Sequence, residues 1–215
     1  MNAHAGPVLT SKHSRLAVLI LAVAAASGAG ASDLRAPESF SSISDKAERS
    51  RALFAEAGRV LQHPRCLNCH PIGERPTQGE DKHPHAPMVV RGLDDKGATA
   101  MRCTTCHQAA NFAPSGVPGH RQWHMAPREM AWQGKTLGQI CELIKDARRN
   151  GGKTLAQMHE HMALDSLVGW AWIPGANREP APGTQKQFGA LLSAWIETGA
   201  TCPAADTDNA PGARR

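Results

Sequence analysis

The sequence predicts a mostly α-helical fold with long irregular connections and little or no β-sheet. Apolar residues recur at helical spacing in several separate segments of the chain. Strand formers are scarce, since the 215 residues include no tyrosine and only 4 phenylalanines. Glycine and proline, with 20 and 15 residues, interrupt the chain between the periodic segments. Helices joined by glycine- and proline-rich loops are therefore expected.

The first 31 residues have the pattern of a secretory signal peptide. Lys12 and Arg15 precede an apolar run over residues 16–26, and small residues follow up to Ala31. The alternative is an uncleaved membrane anchor, but the run is shorter than the roughly 20 apolar residues that span a bilayer. We therefore predict cleavage after Ala31, export to the periplasm and no stable membrane insertion afterwards.

The exported chain is expected to begin with a flexible leader over residues 32–43 and to continue as one domain over residues 44–203. Ser44 is a candidate N-cap for a first helix, whose apolar residues keep helical spacing until the chain reaches His63 and a proline. Residues 204–215 are polar and are expected to form a disordered tail.

Three further helices are expected in the second half of the chain. Thr136 and Thr154 are each followed three residues later by a glutamine, which is the pattern of a capping box. The helix that begins at Thr136 is expected to end at residues 150–152, which are Asn-Gly-Gly. The last helix is expected over residues 184–198, where apolar residues again keep helical spacing.

Two motifs of the form C-x-x-C-H lie between the first helix and the later ones, at residues 66–70 and 103–107. Cysteines three residues apart on one helical turn can each form a thioether with a vinyl group of haem, and the histidine that follows can ligate the iron. The motifs therefore predict two covalently attached haem c groups. The residues predicted to attach them are Cys66, Cys69, Cys103 and Cys106, with His70 and His107 as iron ligands.

Other chemistry is compatible with the cysteine pairs alone. Four thiolates could hold one structural zinc ion, and a single pair could be a thiol redox motif. Histidine makes up only 11 of the 215 residues. A histidine directly after both pairs would therefore arise by chance in roughly one case in 400. The histidines favour haem and predict a small multihaem cytochrome c-like fold with haem-wrapping loops.

The ligand on the opposite side of each iron is not given by the motifs. His85 lies in the breaker-rich interval over residues 71–97, which is long enough to cross either haem. His124 precedes an Ala-Pro pair within a Met-containing segment. His159 shares an apolar helix face, whereas His161 points away from it. The remaining candidates are His63, His83, His120, Met88, Met101, Met125, Met130, Met158 and Met162.

Several stretches resemble small exported di-haem proteins of proteobacteria, which are often labelled as an isoquinoline 1-oxidoreductase subunit. The stretches are HPRCLNCHPIGERPTQG, RCTTCHQAANF, WHMAPREMAW, GQICELIKDARRNGG, EHMALDSLVGWAWIPG and REPAPGT. They extend from about residue 55 to residue 203. The resemblance implies His124 and His161 as ligands, ahead of Met125 and His159. It also implies an electron-accepting role beside a molybdenum hydroxylase.

The predicted function is electron relay between an oxidoreductase and the respiratory chain. The partner would be a redox protein, either a molybdenum hydroxylase or another cytochrome. The net charge of +5 is spread without a dense basic block, which argues against nucleic-acid binding. The alternative is a haem enzyme, or a sensor of peroxide or gas, with one open iron position.

Two cysteines remain outside the motifs, Cys141 and Cys202. Export to an oxidising compartment favours a disulfide between them. The alternative is two buried free thiols.

Overall fold

The computed structural model describes residues 1–2, 33–175 and 177–205. Residues 3–32 and 206–215, which hold the predicted signal peptide and most of the predicted tail, lie outside the described residues. All elements below belong to one compact unit that begins at Ala31. None of the helices in these described ranges has the length and hydropathy of a membrane-crossing segment.

The described chain is mostly α-helical, as the sequence predicts, and its strands form two short antiparallel ladders. The helices are α1 (Lys46–Leu61), α2 (Pro64–Leu67), α3 (Cys103–Cys106), α4 (Leu137–Lys145), α5 (Leu155–Leu164), α6 (Ser166–Gly169) and α7 (Gln185–Glu197). Strand β1 (Thr77–Gln78) pairs with β2 (His83–Pro84), and β3 (Gly97–Ala98) pairs with β4 (Met101–Arg102).

The first helix begins one residue later than predicted. Its N-cap is Asp45, whose carboxylate accepts a hydrogen bond from the backbone N–H of Glu48 at 2.6 Å. Ser44 therefore precedes the cap. The apolar face of α1, which includes Leu53 and Phe54, is fully buried.

Both predicted capping boxes are present. Thr136 and Thr154 each accept a bond from the backbone of a glutamine three residues on, and each glutamine side chain bonds back. The end of α4 differs from the prediction, because the helix stops at Lys145 and not at residues 150–152. The buried amide of Asn150 folds back and donates to the carbonyl of Ile144 at 2.8 Å.

Helices α1, α4, α5 and α7 enclose the main apolar core. Phe54 of α1 contacts Trp195 of α7, with 4.8 Å between the ring centroids. The predicted disulfide between Cys141 and Cys202 is present, with the Cα atoms 5.6 Å apart, and it ties the segment after α7 to α4.

The segment before α1 differs from the predicted flexible leader. Leu34 and Phe40 are buried in the core, and residues Pro37–Phe40 form a 3₁₀-helix. The backbone N–H and the Nε of Arg35 both donate to the carboxylate of Glu56 in α1. Two apolar side chains and one ion pair therefore hold residues 34–40 against the helical core, which composition alone did not indicate.

The interval from residue 71 to residue 97 contains only two-residue strands, in agreement with its many breakers. It is organised around the buried side chain of Arg91. This guanidinium donates to the carbonyl of Gly73 at 3.1 Å and to that of Ala126 at 2.7 Å, and it pairs with Asp95. Arg91 therefore joins the interval to the segment that follows the second motif.

Candidate functional site

Each C-x-x-C-H motif forms one helical turn. The first motif begins in α2, where His63 caps the helix and Pro64 occupies its first position. The second motif is α3 itself, and the backbone N–H of His107 bonds to the carbonyl of Cys103 at 2.9 Å. The two cysteines of each motif therefore share one side of a turn, as thioether attachment to one ring requires.

His70, the histidine of the first motif, is held by two contacts. Its Nδ1 lies 2.6 Å from the carbonyl oxygen of Met130 and, because a carbonyl only accepts, Nδ1 carries the proton. The imidazole stacks on Trp132, with 3.6 Å between the ring centroids and 11° between the planes. These contacts fix the ring, while Nε2 has no hydrogen bond among the described residues.

His107, the histidine of the second motif, is held in the same manner. Its Nδ1 donates to the carbonyl oxygen of Pro118 at 2.8 Å. The ring stacks on Trp123, with a centroid distance of 4.4 Å and an interplanar angle of 9°. A backbone carbonyl bound to Nδ1 selects the tautomer in which Nε2 is the free ligand atom, as in many metal-binding histidines.

A largely apolar cavity of about 360 Å³ lies beside the first motif. Cys66, Cys69 and His70 line one part of it, and His161 lies on α5 in its lining. His124 is also part of the lining. The methionines that line the cavity are Met125, Met130, Met158 and Met162. The cavity therefore brings the first motif together with two of the three histidines predicted as further ligands.

Burial sets the protonation states of the first motif. It raises the pKa of Cys66 to about 12 and that of Cys69 to about 11. It lowers the pKa of His70 to about 4, and the neighbouring His161 adds to this lowering. At neutral pH His70 is therefore a neutral imidazole, the form that binds metals.

His161 and His124 keep Nε2 without a hydrogen bond among the described residues. The Nδ1 of His161 lies 3.5 Å from the carboxylate of Asp165, one turn further along the chain. The Nδ1 of His124 donates to the carbonyl of Gln122. The prediction that His161 points away from the apolar face of α5 is wrong, because His161 lines the cavity together with the core residues Met158 and Met162.

His85 lies beside the second motif. Its ring centroid is 5.9 Å from that of His107, with 64° between the planes. The Nδ1 of His85 donates to the carbonyl of Pro87 at 3.0 Å, which leaves Nε2 without a bond in the described chain. The β1–β2 hairpin holds this histidine, since the backbone N–H of His85 bonds to the carbonyl of Pro76 at 3.0 Å.

Three other histidines have Nε2 engaged. His83 contacts the side-chain amide of Gln78, and His120 contacts the hydroxyl of Ser166. The Nε2 of His159 donates to the carbonyl of Gly189 in α7 at 3.0 Å. Each of these three histidines therefore uses its Nε2 to link two parts of the chain.

The first motif also anchors the hairpin that carries His85. Asn68, inside the first motif, donates to the carbonyl of Gly79 at 3.0 Å and accepts from the hydroxyl of Thr77 at 2.8 Å. In turn Trp123, which stacks on His107, lines the cavity at the first motif. The two motifs are therefore parts of one interconnected site.

Sequence reasoning missed the two stacking tryptophans. Trp123 directly precedes His124 in a segment that was considered only for its histidine and methionine. Trp132 lies 62 positions after His70 in the chain, so the spacing carries no signal of the pair. Stacking of a tryptophan on each motif histidine depends on chain reversals that no local pattern encodes.

The described residues contain no cluster of three or more His, Cys, Asp or Glu side chains arranged to hold a metal ion. A haem iron takes four ligands from the porphyrin, so it requires only one or two protein ligands. The paired cysteines, the neutral His70 and the apolar cavity fit such a group. Comparison of the chain with protein-family models, with curated proteins and with solved structures found no match.

Proposed function

We propose that the chain is a di-haem c-type cytochrome that relays electrons, with a small multihaem cytochrome c-like fold. The observation that carries the proposal is the equivalent arrangement of His70 and His107. Each stands at the end of a C-x-x-C turn, donates Nδ1–H to a backbone carbonyl and stacks on a tryptophan. An orienting bond of this kind holds a ligating imidazole in place and makes it a stronger donor to the metal.

His107 and His85 would hold the iron of the second haem. Two imidazoles bound to one metal through Nε2 have ring centroids roughly 6 Å apart, because each metal–nitrogen bond is about 2 Å long. The rings of His85 and His107 are 5.9 Å apart, and both have Nδ1 bound to a proline carbonyl. This separation supports bis-histidine ligation at the second site.

His70 and His161 would ligate the first haem. Both line the same cavity, and protonation of His161 would lower the pKa of His70. His124 lines the cavity as well and is the alternative ligand. Bis-histidine ligation at both sites would give lower reduction potentials than His/Met ligation.

Haem supplies one-electron chemistry when it is bound, and the protein supplies attachment, ligands and shielding from water. With two histidines on each iron, neither metal would retain an open position for a substrate. Electron transfer through the haem edges is then the activity that the residues support. The proposed setting is the periplasm, reached through the predicted signal peptide. The proposed partner is a redox protein, either a molybdenum hydroxylase or another cytochrome.

The test is production of the full-length chain in a bacterium that carries out haem c attachment. Mass spectrometry should give the mass of the processed chain plus two haems. Electron paramagnetic resonance of the oxidised protein should show two low-spin signals and no high-spin signal. A chain that carries no haem and binds zinc through its thiols would overturn the proposal. A high-spin iron that binds carbon monoxide after reduction would favour the enzyme or sensor alternative.

A further inference from the structure

Asp165 follows α5 directly and is the N-cap of α6, four residues after His161. Its Oδ1 accepts hydrogen bonds from the backbone N–H groups of Leu167, at 2.7 Å, and Val168, at 3.2 Å. The other oxygen, Oδ2, lies 3.5 Å from the Nδ1 of His161. Because Oδ1 alone completes the cap, Oδ2 remains available to the imidazole.

The corner between α5 and α6 is fastened to α7. The side-chain amide of Gln185, the first residue of α7, donates to the backbone carbonyl of Asp165 at 2.9 Å. The same amide donates to the carbonyl of Met162 at 3.3 Å, and Met162 is a buried core residue that lines the cavity. The cap and the bond from α7 therefore hold the carboxylate of Asp165 in one place beside His161.

The partner of Nδ1 distinguishes His161 from the other histidines considered as ligands. Each of the others directs Nδ1 to a neutral backbone carbonyl, and these histidines are His70, His85, His107 and His124. Only His161 in this set faces a carboxylate. A carboxylate also favours the proton on Nδ1, which leaves Nε2 for a metal, but it adds a negative charge behind the ring.

The support of His161 also differs from that of His124, the other candidate ligand in the cavity. His124 lies in a segment outside the helices and strands, and its Nδ1 bonds to a carbonyl only two residues earlier. His161 lies on α5, whose start is fixed by a capping box and whose end is fixed by Asp165. A side chain on a supported helix is held more precisely than one on a loop, which favours His161 as the ligand.

We propose that Asp165 is a positioning residue for His161 and that, on the basis of the proposed function, its charge lowers the reduction potential of the first haem. A carboxylate behind a ligating imidazole makes that imidazole a stronger donor to the metal. A negative charge near the iron also stabilises the oxidised form more than the reduced form. The proposed ligands of the second iron, His85 and His107, have only neutral partners on Nδ1, so this effect is particular to the first site.

The test is Asp165→Asn in the holoprotein, because asparagine also caps helices and the substitution removes mainly the charge. The midpoint potential of one haem should rise, and the low-spin resonance of that haem should move, while the other haem stays unchanged. Loss of a helix cap would not by itself produce this pair of changes. The matched control is Asp45→Asn, the same substitution at the N-cap of α1, where the carboxylate contacts no histidine among the described residues. Both potentials should be unchanged in this control.

Two backgrounds show whether the effect passes through His161. In His124→Ala, the further change Asp165→Asn should raise the potential as it does in the parent protein. In His161→Ala, the further change should leave the potential unaltered.

Unchanged potentials and resonances in Asp165→Asn would overturn the inference. The same rise in Asp45→Asn, or a full effect of Asp165→Asn in His161→Ala, would also overturn it. Should Asp165→Asn fail to accumulate, Asp165→Ser decides by the same criterion, since serine is a good N-cap as well. A chain without attached haem fails at the mass measurement, so failure of the proposed function is seen separately.

Discussion

The two C-x-x-C-H motifs hold their histidines alike and lie in different surroundings. The first motif follows directly after α1 and borders a cavity whose lining includes core residues of α1, α5 and α7. The second motif lies among loops whose apolar side chains are open to solvent. Met88 is 73% exposed and Phe112 is 57% exposed. Cys106 of the second motif is also exposed, whereas Cys66 of the first motif is half-buried.

Orientation of the motif histidines and enclosure of the surrounding site depend on different levels of structure. One carbonyl contact and one stacked tryptophan orient each motif histidine, so a few residues suffice to fix each imidazole. Enclosure of the site requires helices from distant parts of the chain. Because burial and local polarity tune a haem's potential, the two proposed haems would differ in potential even with the same ligands.

Removal of attachment cysteines should have the largest effect and should be unequal between the sites. On the proposed function, Cys66→Ser with Cys69→Ser should remove one haem and lower the free energy of unfolding by about 5 kcal/mol, because the first motif borders a cavity lined by core residues. Cys103→Ser with Cys106→Ser should remove the other haem and cost much less. Mass spectrometry and thermal unfolding measure both effects. Equal loss of stability in the two variants would contradict the contrast drawn between the sites.

Loss of the disulfide should affect the first site more than the second. Cys141 and Cys202 are 61 positions apart, and opening a loop of this length costs up to about 4 kcal/mol of stability. Replacement of both by serine should lower the free energy of unfolding, measured with urea, by up to that amount. The spectrum of the first haem should change, because α4 packs in the core beside its cavity. An altered second haem with an unchanged first haem would refute this expectation.

Replacement of the second ligands should convert one haem at a time to high spin. On the proposed ligation, His85→Ala should change the spectrum of the second haem, and His161→Ala should change that of the first. The effect on unfolding should be under about 2 kcal/mol, since neither side chain belongs to the packed core. Electron paramagnetic resonance reads the spin states, and His159→Ala is the control because its Nε2 is bonded to Gly189. If His124→Ala acts and His161→Ala does not, the first ligand is His124.

A change inside the first motif should disturb the second haem. Asn68→Ala removes two bonds to the hairpin that holds His85, at a cost of about 1.5 kcal/mol. The expected result is partial high-spin character at the second iron, with normal attachment of the first haem. Leu67→Ala, also within the first motif, serves as the comparison and should leave the second iron low-spin.

The smallest effect is expected at Glu56, which lies in α1 and contacts neither motif histidine. Burial alone would raise its pKa, but hydrogen bonds from Arg59 and Arg35 lower the pKa below the usual 4.5. A lowered pKa means that the ionised carboxylate stabilises the fold above about pH 4.5 and that this contribution is lost as the pH falls through the lowered value. Glu56→Gln should therefore cost about 1 kcal/mol at pH 7 and almost nothing in strong acid.

Urea unfolding at the two pH values measures the contribution of Glu56, and Glu160→Gln on the exposed side of α5 is the control. Both haem spectra should remain unchanged in Glu56→Gln. A changed spectrum of either proposed haem would show that the ion pairs of α1 influence the electronic environment of that haem.

Local sequence patterns predicted the elements whose causes are local. The capping boxes at Thr136 and Thr154 and the apolar face of α1 depend on contacts within one or two turns, and all are present. The end of α4 was predicted wrongly because a buried Asn150 side chain replaces the helix backbone there. The packing of Leu34 and Phe40 was missed because their partners are distant in the chain.

The sequence by itself determined the two cysteine turns with their histidines, the helical class and the cysteine pair that forms the disulfide. Each depends on residue identity and short spacing, which the printed chain displays directly. Tertiary structure alone decided which histidines keep Nε2 free of hydrogen bonds among the described residues and which tryptophan stacks on each motif histidine. These features arise where segments far apart in the chain meet, and only the packing of the helices and loops brings those segments together.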